Sequence, residues 1–396
     1  MTPRHAVISG ASIAGLSAAY WLRHVGWEVT VVERAPEFRD GGQNVDVRGV
    51  AREVLGLMGL TAAIKAQNTT ETATVLVDGD GAVTAELPTD GPDASTAELE
   101  VLRGDFARTI LDHLPPGVEV VYDETVEGVD EAADGVTLTT ASGSTLRADL
   151  FVVAEGVHSV TRDRLFPGEV EPRDLGIEMV FGTIPRTEDD DDRWRWHTTV
   201  GGRQVHLRPD NHGTTRAILC HTGDDELAGL ERADMVARLR ERYADVGWEA
   251  PRVLDGFETS DDVYVDHLTQ IHMPTWHRGR VCLAGDAAWC VTPMGGGGAS
   301  LALVSGYVLA AHLSTDDDLG TALAAYETWM RPLVDQIQGL PPGFKLVAFP
   351  QTRLGLAAKG LLDKALTSSL LTPLTSRLTQ VADTDQELPR MVPLPV

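Results

Sequence analysis

The sequence predicts an α/β chain: a parallel sheet begun by a strand–helix–strand unit, a mainly antiparallel sheet inserted into it, and a C-terminal helix. Three observations predict this. Residues 6–34 read as strand, glycine turn, helix and strand. Leu150 to Ala154 and Val281 to Ala284 are too continuously apolar for half-exposed strands and belong inside a parallel sheet. Between 174 and 266 the character changes to successive strands with few glycines, at 177–184, 195–200, 204–208 and 214–221, and one helix over 233–243.

The opening unit carries the first chemical signal. Ala6 to Ser9 form a short apolar strand that stops at Gly10, and Ile13, Leu16, Ala19 and Leu22 recur at helical spacing until Gly26. The turn is written Gly10-x-Ser12-x-x-Gly15, with Ile13 and Ala14 opening the helix. Glycines let the backbone approach a pyrophosphate, and the unpaired amides and dipole of a helix start attract the anion. Glu33, followed by Arg34, closes the second strand near the spacing at which an acid accepts ribose hydroxyls. Ser12 stands where the middle glycine of this pattern falls, and its side chain is small enough for close approach. The unit is Rossmann-like and reads as a dinucleotide site, with the dinucleotide left open.

Farther along, the polar, glycine-rich residues 39–49, with Asp46, precede a helical pattern at Val54, Leu57 and Leu60 and look like a loop along a ligand. Residues 73–77 and 82–87 alternate around Asp78-Gly79-Asp80-Gly81, a hairpin signal, and a loop follows over 88–95. Residues 99–102 return as a strand, with Arg103 at the junction to a helix. Residues 118–122, 125–129, 136–140 and 145–148 read as one antiparallel meander. A helix through Leu323, Tyr326, Met330, Leu333 and Ile337 follows the last buried strand. Leu354, Leu361, Leu362, Leu366, Leu370 and Leu371 sit in a final helical stretch expected to pack across the inserted sheet, ahead of a loose tail at 383–395.

Composition narrows the function classes. Lys plus Arg number 33 against 59 Asp plus Glu, a formal charge of -26, so the average surface repels nucleic acid and anionic membranes. Much of that charge sits in short runs such as 188–192, 224–226 and 316–318, which read as solvated loops. Three cysteines without metal-ligand spacing suit a reducing compartment, and the start has no apolar signal core. The expectation is a cytoplasmic protein that does not insert into membranes, a monomer or weak dimer, with no bound metal.

A second glycine site decides which dinucleotide. Gly285-Asp286 ends the buried strand at 281–284, and Pro293-Met294-Gly295-Gly296-Gly297-Gly298-Ala299 leads straight into a helix. A plain NAD-binding domain needs only one such cradle, whereas an extended FAD needs two. Asp286 is placed to accept a ribityl hydroxyl, and amides from Gly296 to Ala299 could face the pyrimidine edge of the flavin.

These blocks, together with Glu155-Gly156-x-x-Ser159-x-x-Arg162, resemble the class A flavin-dependent monooxygenases of the para-hydroxybenzoate hydroxylase fold. Asp46 and the absence of a thioredoxin-like extension resemble the small tetracycline-inactivating members. The resemblance implies that Arg103 lies against the ribityl and phosphate region of FAD. It implies an FAD-binding domain over 1–72, 98–173 and 267–340, a substrate-binding sheet domain over 73–97 and 174–266, and a C-terminal segment over 341–396. It also implies that NADPH or NADH reduces the flavin, and that O2 adds to give a C4a-hydroperoxide that hydroxylates, epoxidises or inserts oxygen into a bulky aromatic or polyketide-like molecule. Most of that chemistry belongs to the cofactor. Glu155 stands where the family has Asp, and it bears on the reduction step.

Substrate contacts are expected from the inserted sheet, where His197, Arg203, His206, Arg208, Arg216 and His221 cluster in sequence. Strand alternation could aim His206 and Arg208 at one face. The plainer alternative is that these residues face solvent and balance nearby acids. Trp194 and Trp196 read as paired sheet aromatics, while Trp289 and Met294 could wall a pocket. Two other functions stay open at this level: a flavin-dependent reductase that never uses oxygen, and a flavoprotein that sequesters a ligand.

Overall fold

The computed structural model describes residues 3–87, 99–223, 227–366, 384 and 386–392. The loop expected over 88–95, the acidic run at 224–226, Leu370, Leu371 and residues 383, 385 and 393–395 of the expected tail lie outside the described residues. The described part of that tail is not loose: Leu388 and Met391 pack on the main core, the Trp329 indole donates to the Glu387 carbonyl at 3.3 Å and the Tyr307 hydroxyl to the Pro389 carbonyl at 3.1 Å.

Six strands form the sheet that positions everything else, in the order His277–Arg278, Val281–Leu283, Leu150–Val153, His5–Ser9, Glu28–Val32, Val118–Val121. All neighbours are parallel except the first pair. Ala6, Val7, Ile8 and the whole of Leu150–Val153 are inaccessible to solvent, which is why these segments read as unbroken apolar runs. Register aligns Ser9 with Val32 and with Val153, and Val153 with Leu283. Four strand ends therefore lie in one row, and Gly10, Glu33, Glu155 and Gly285 follow closely on them. The carboxyl edge of a parallel sheet is where such folds bind ligands.

The meander is shorter than expected. Val118–Val121 pairs in parallel with Glu28–Val32, and only Val126–Ala132, Gly135–Thr140 and Thr145–Ala148 form the antiparallel trio. Alternation does not encode pairing direction; the turn signals begin only at Ala133. The helix Arg103–Asp112 ahead of the strand supplies the crossover that a parallel neighbour needs.

The second large sheet has seven strands, ordered Tyr264–His272, Glu171–Pro185, Thr214–Thr222, Arg203–Pro209, Arg193–Thr199, Ala73–Val77, Val83–Glu86. It is antiparallel except where Ala73–Val77 runs alongside Arg193–Thr199. One face packs Val180, Ile184, Val205, Leu207 and Leu219 on two helices, Arg232–Arg242 and Ala250–Thr259. The sequence pattern predicts only the first of these, over 233–243. The second starts with Pro251 in its first turn and buries Ala250, Val253, Leu254 and Phe257, a helical spacing that was present in the sequence.

Helices Ile13–His24 and Gly298–Thr315 run side by side in the same direction, since Ser17 donates to the Leu303 carbonyl at 2.6 Å and Trp21 meets Tyr307 edge to face at 4.9 Å. Both helix starts thus come to the same edge of the molecule. A Cβ on Gly306 would stand 2.4 Å from the Ser17 backbone, so only glycine permits this approach. Gly298–Thr315 is long and apolar enough to cross a bilayer, but it is 67% buried within the protein; apolarity all round reflects burial on every side.

The C-terminal stretch reaches the inserted sheet through different residues from those expected. Phe349 is buried against Ile177, Met179 and Ile218, and Gln204 Nε2 donates to the Ala348 carbonyl at 2.8 Å. Leu354 and Leu361, on the helix Arg353–Leu366, remain 81% and 72% exposed among the described residues.

Candidate cofactor and substrate site

The first cradle is a turn with no room for side chains. Gly10 has φ +107°, donates to the Val32 carbonyl at 2.8 Å, and would place a Cβ 2.4 Å from the Ala154 carbonyl oxygen. A Cβ on Gly15 would lie 1.9 Å from the Gly10 oxygen. Ser12 occupies the helix N-cap without a side-chain cap bond, and the first turn has no acid. Its hydroxyl instead accepts Arg103 Nη2 at 3.3 Å. Glu33 accepts the Ala11 amide at 2.8 Å and the Ala35 amide at 2.9 Å, bracing the turn while its remaining lone pairs stay available. Arg34 is exposed.

The second cradle abuts the first. Gly285, at φ +61°, would carry a Cβ 2.7 Å from the Ala14 methyl. The glycine loop does not run straight into its helix as expected. Thr292–Gly295, which contains Pro293, makes a single turn that ends at Gly296 with φ +74°; Gly297 then caps Gly298–Thr315 without a side-chain bond and, through Ala299, without an acid. Burial raises the Asp286 carboxyl above its ordinary range, and Arg103 is the cation that opposes this. Asp266, on the facing sheet, is raised by burial and by Asp286, with His158 and Arg103 pulling the other way. Arg103 therefore serves both cradles. Two side-by-side helix starts lacking their own anions, glycines no Cβ can replace, and a carboxylate, Asp286, that accepts no hydrogen bond from the described residues fit an extended, anion-bearing FAD.

Thr292 is strained, a β-branched residue at φ +63° directly before a proline. Replacing it by glycine should raise unfolding free energy by about 1 kcal/mol, the strain released less the added chain entropy. Chemical denaturation checks this, and a loss of stability would contradict it.

Glu155 is fully engaged inside the protein. Its carboxylate accepts the Ser9 hydroxyl at 2.6 Å, the Ser159 and Thr161 hydroxyls at 2.7 Å each, and the Thr161 amide at 3.3 Å. It ties the end of the first strand to the helix Val160–Leu165, while Gly156 turns the chain at φ +82°. Arg162 on that helix is buried and donates to the Val157 and Ala287 carbonyls, which links this block to the second cradle.

The inserted sheet turns its other face to the glycine loop, with Ile177, Met179, Phe181, Ile218 and Cys220 in one apolar cluster that includes Met294. Trp194 and Trp196 stack at 5.3 Å, and Trp196 lies 4.4 Å from His206. His206 and Arg208 share this face, as strand alternation requires. The solvent-facing alternative fails: His197, His206, Arg208, Arg216 and His221 are all buried. His206 bonds Gln204 Oε1 through Nε2 at 3.1 Å, and burial drives its pKa down to about 3. It is neutral at working pH. Arg208 spends its guanidinium on Glu71 and Glu100. His221 is paired with Glu178 against Tyr243 on the helix-covered side, and Arg203 bonds Asp245. Trp289 is core, packed on Trp276 and Tyr326, and does not wall a pocket.

Sequence reasoning missed Glu71, Glu100 and Gln338. The first two resemble surface acids between threonines and valines, and their burial depends on strand pairing. Gln338 Nε2 donates to the Ile271, Trp289 and Cys290 carbonyls, clamping the chain just ahead of the glycine loop. Only its place late in a helical pattern was visible.

Paired cradles on a parallel-sheet edge, faced by an aromatic sheet, define a flavoprotein oxygenase. The chain belongs to the family described as FAD binding domain, whose model matches residues 4–337, and it is a flavin-dependent monooxygenase with FAD as cofactor. It is 32% identical over 388 residues to the flavin-dependent monooxygenase eupH of Phoma sp, covering 90% of each chain. The crystal structure of tetracycline destructase Tet(55) matches with a TM-score of 0.80 at 26% identity, over 97% of this chain and 99% of the other. Tetracycline destructase Tet(51) matches with a TM-score of 0.77 at 27% identity, over 96% and 95%.

Proposed function

We propose that the protein uses NADPH or NADH and O2 to oxygenate a bulky aromatic or polyketide-like small molecule, held between the seven-stranded sheet and the Pro293–Gly298 loop, in the cytoplasm and as a monomer or weak dimer. One observation carries this reading: the aromatic and apolar sheet face of Phe181, Ile218, Trp196 and His206 belongs to the same layer as Met294 of the cofactor loop. When bound, FAD supplies the redox chemistry, taking electrons from the nicotinamide and activating oxygen.

The residues of this chain do the rest. Gly10, Ser12, Ile13, Ala14 and Gly15 would hold the pyrophosphate and Glu33 the ribose, with Arg34 at the rim. Asp286 and Arg103 would hold the ribityl chain, and Gly296, Gly297, Gly298 and Ala299 the flavin ring. Glu155, Gly156 and Arg162 would fix the wall past which the nicotinamide reaches it, and the seven-stranded sheet would exclude water from the reacting face. Relatives named tetracycline destructases support a polycyclic substrate.

Oxygen uptake on adding NADPH to the FAD-loaded enzyme with a tetracycline, or another polycyclic phenol, tests this. Uptake in step with product supports it; product without oxygen uptake overturns it. His206→Ala should lower the fraction of NADPH use coupled to product severalfold, since it opens the wall beside Trp196. An unchanged coupling ratio would remove His206 from the site. Because His206 stays neutral, coupling in the parent enzyme should show no titration between pH 6 and 7 from this residue.

A further inference from the structure

The seam between the two sheets buries an ionic cluster that the oxygenation chemistry does not account for. The short ribbon Asn44–Asp46 paired with Glu100–Leu102 meets the seven-stranded sheet there. Arg208 lies 2.9 Å from Glu71 Oε2 through Nε and 3.1 Å from Glu100 Oε1 through Nη2, with its guanidinium 4.0 Å from the Trp194 ring centre. Glu100 Oε1 also accepts Asn44 Nδ2 at 2.7 Å and the Thr69 hydroxyl at 2.6 Å, yet its Oε2 is buried without a donor. Asp46, opposite Glu100 in the ribbon, bonds Arg48 Nη2 at 3.0 Å through Oδ2, and its Oδ1 is likewise buried without a donor.

Among these residues three carboxylates face two guanidinium groups. Fully ionised, they would leave an unbalanced negative charge in a largely buried cluster, and crowded carboxylates respond by keeping a proton. A carboxylic proton is also the donor that an orphaned carboxylate oxygen lacks. The geometry points to one proton retained between Asp46 and Glu71, beside the orphaned Glu100 Oε2, that holds the ribbon against the seven-stranded sheet, its loss loosening the seam. The groups facing Glu71 are Arg208, Glu100, Asp46 and the Thr74 hydroxyl, with His206 neutral beyond. Burial, against the pull of Arg208, lifts Glu71 to about 8, and burial raises Asp46 as well.

The seam adjoins the cofactor. The Ser300 hydroxyl, in the first turn of Gly298–Thr315, donates to the Asp46 carbonyl at 3.0 Å and accepts the Arg48 amide at 3.1 Å. On its other side the stack of Trp194, Trp196 and His206 continues to the substrate face. Proton loss would therefore loosen the contact between the cofactor helix and the substrate sheet. The sign for stability is fixed. The folded chain keeps a proton that an unfolded Glu71, at its ordinary 4.5, releases, so this contribution is full below pH 4.5 and lost as pH rises to about 8.

Infrared spectroscopy of the FAD-loaded protein tests the proposal, with hydrogen exchange of peptides covering 43–48 and 99–103. A carboxylic-acid band that moves down in D2O should be present at pH 6, half lost near pH 8 and missing from Glu71→Gln. Seam exchange, corrected for its intrinsic pH dependence, should rise more than tenfold between pH 7 and 9 in the parent protein and stay flat in the variant. The absence of any such band, or a titrating band with unchanged exchange, overturns it. Should Glu71→Gln fail to fold, Asp286→Asn and Asp266→Asn decide. A band that survives both and tracks seam exchange supports the retained proton; one that disappears in either overturns it.

Discussion

A Gly15→Ala enzyme should purify without its yellow cofactor. The new methyl would lie 1.9 Å from the Gly10 oxygen and 3.4 Å from the Ile8 side chain, and the near atom is backbone. Gly10 cannot yield, because its amide is bonded to the Val32 carbonyl and its own α-carbon faces Ala154. The turn must open, at about 3 kcal/mol, the upper end of forced overpacking. That strain falls on the amides meant for the pyrophosphate, so the dissociation constant for FAD should rise roughly a hundredfold and the flavin should be lost on gel filtration. Circular dichroism should show the fold retained. Gly306→Ala is the control: its clash is with the Ser17 backbone between two helices, so it should cost stability first. Undiminished flavin content in Gly15→Ala would refute the placement of the pyrophosphate.

Removing the Glu155 carboxylate should have the next largest effect. Glu155→Ala strands hydroxyls on Ser9, Ser159 and Thr161, all buried, and the Thr161 amide. With unsatisfied buried donors costing roughly 1–3 kcal/mol each and some rescued by water, unfolding free energy should fall by about 3 kcal/mol. The milder Glu155→Asp shortens the reach by one methylene. It should keep FAD bound and slow mainly the anaerobic reduction by NADPH, since the block it braces carries Arg162 beside Ala287. Loss of FAD with an unchanged reduction rate would contradict this.

The cradles were legible because their chemistry is local. Strand, glycine, helix start and following acid lie within a few dozen residues, so Gly10, Gly15 and Glu33 announce themselves, as do Gly285 and Asp286 at a second buried strand. Partners chosen by pairing were not legible. Val118–Val121 alternates like its antiparallel neighbours but joins the parallel sheet, because the helix before it sets its direction. Glu71 and Glu100 look like solvent acids until strand register buries them against Arg208. Arg208 could be aimed at a face by alternation alone, but alternation is silent on what already occupies it. Trp289 shows the reverse error, an aromatic near a ligand loop that proves to be interior filling.

The side-by-side seating of Ile13–His24 and Gly298–Thr315 has a consequence for biosynthesis. The early helix leaves the ribosome long before its mate, with Ser17, Ala18 and Trp21 uncovered until that mate arrives. Nascent chains halted ahead of Gly298 should therefore capture no flavin and bind chaperones, whereas chains released past Gln338, whose side chain clamps the glycine loop, should acquire it.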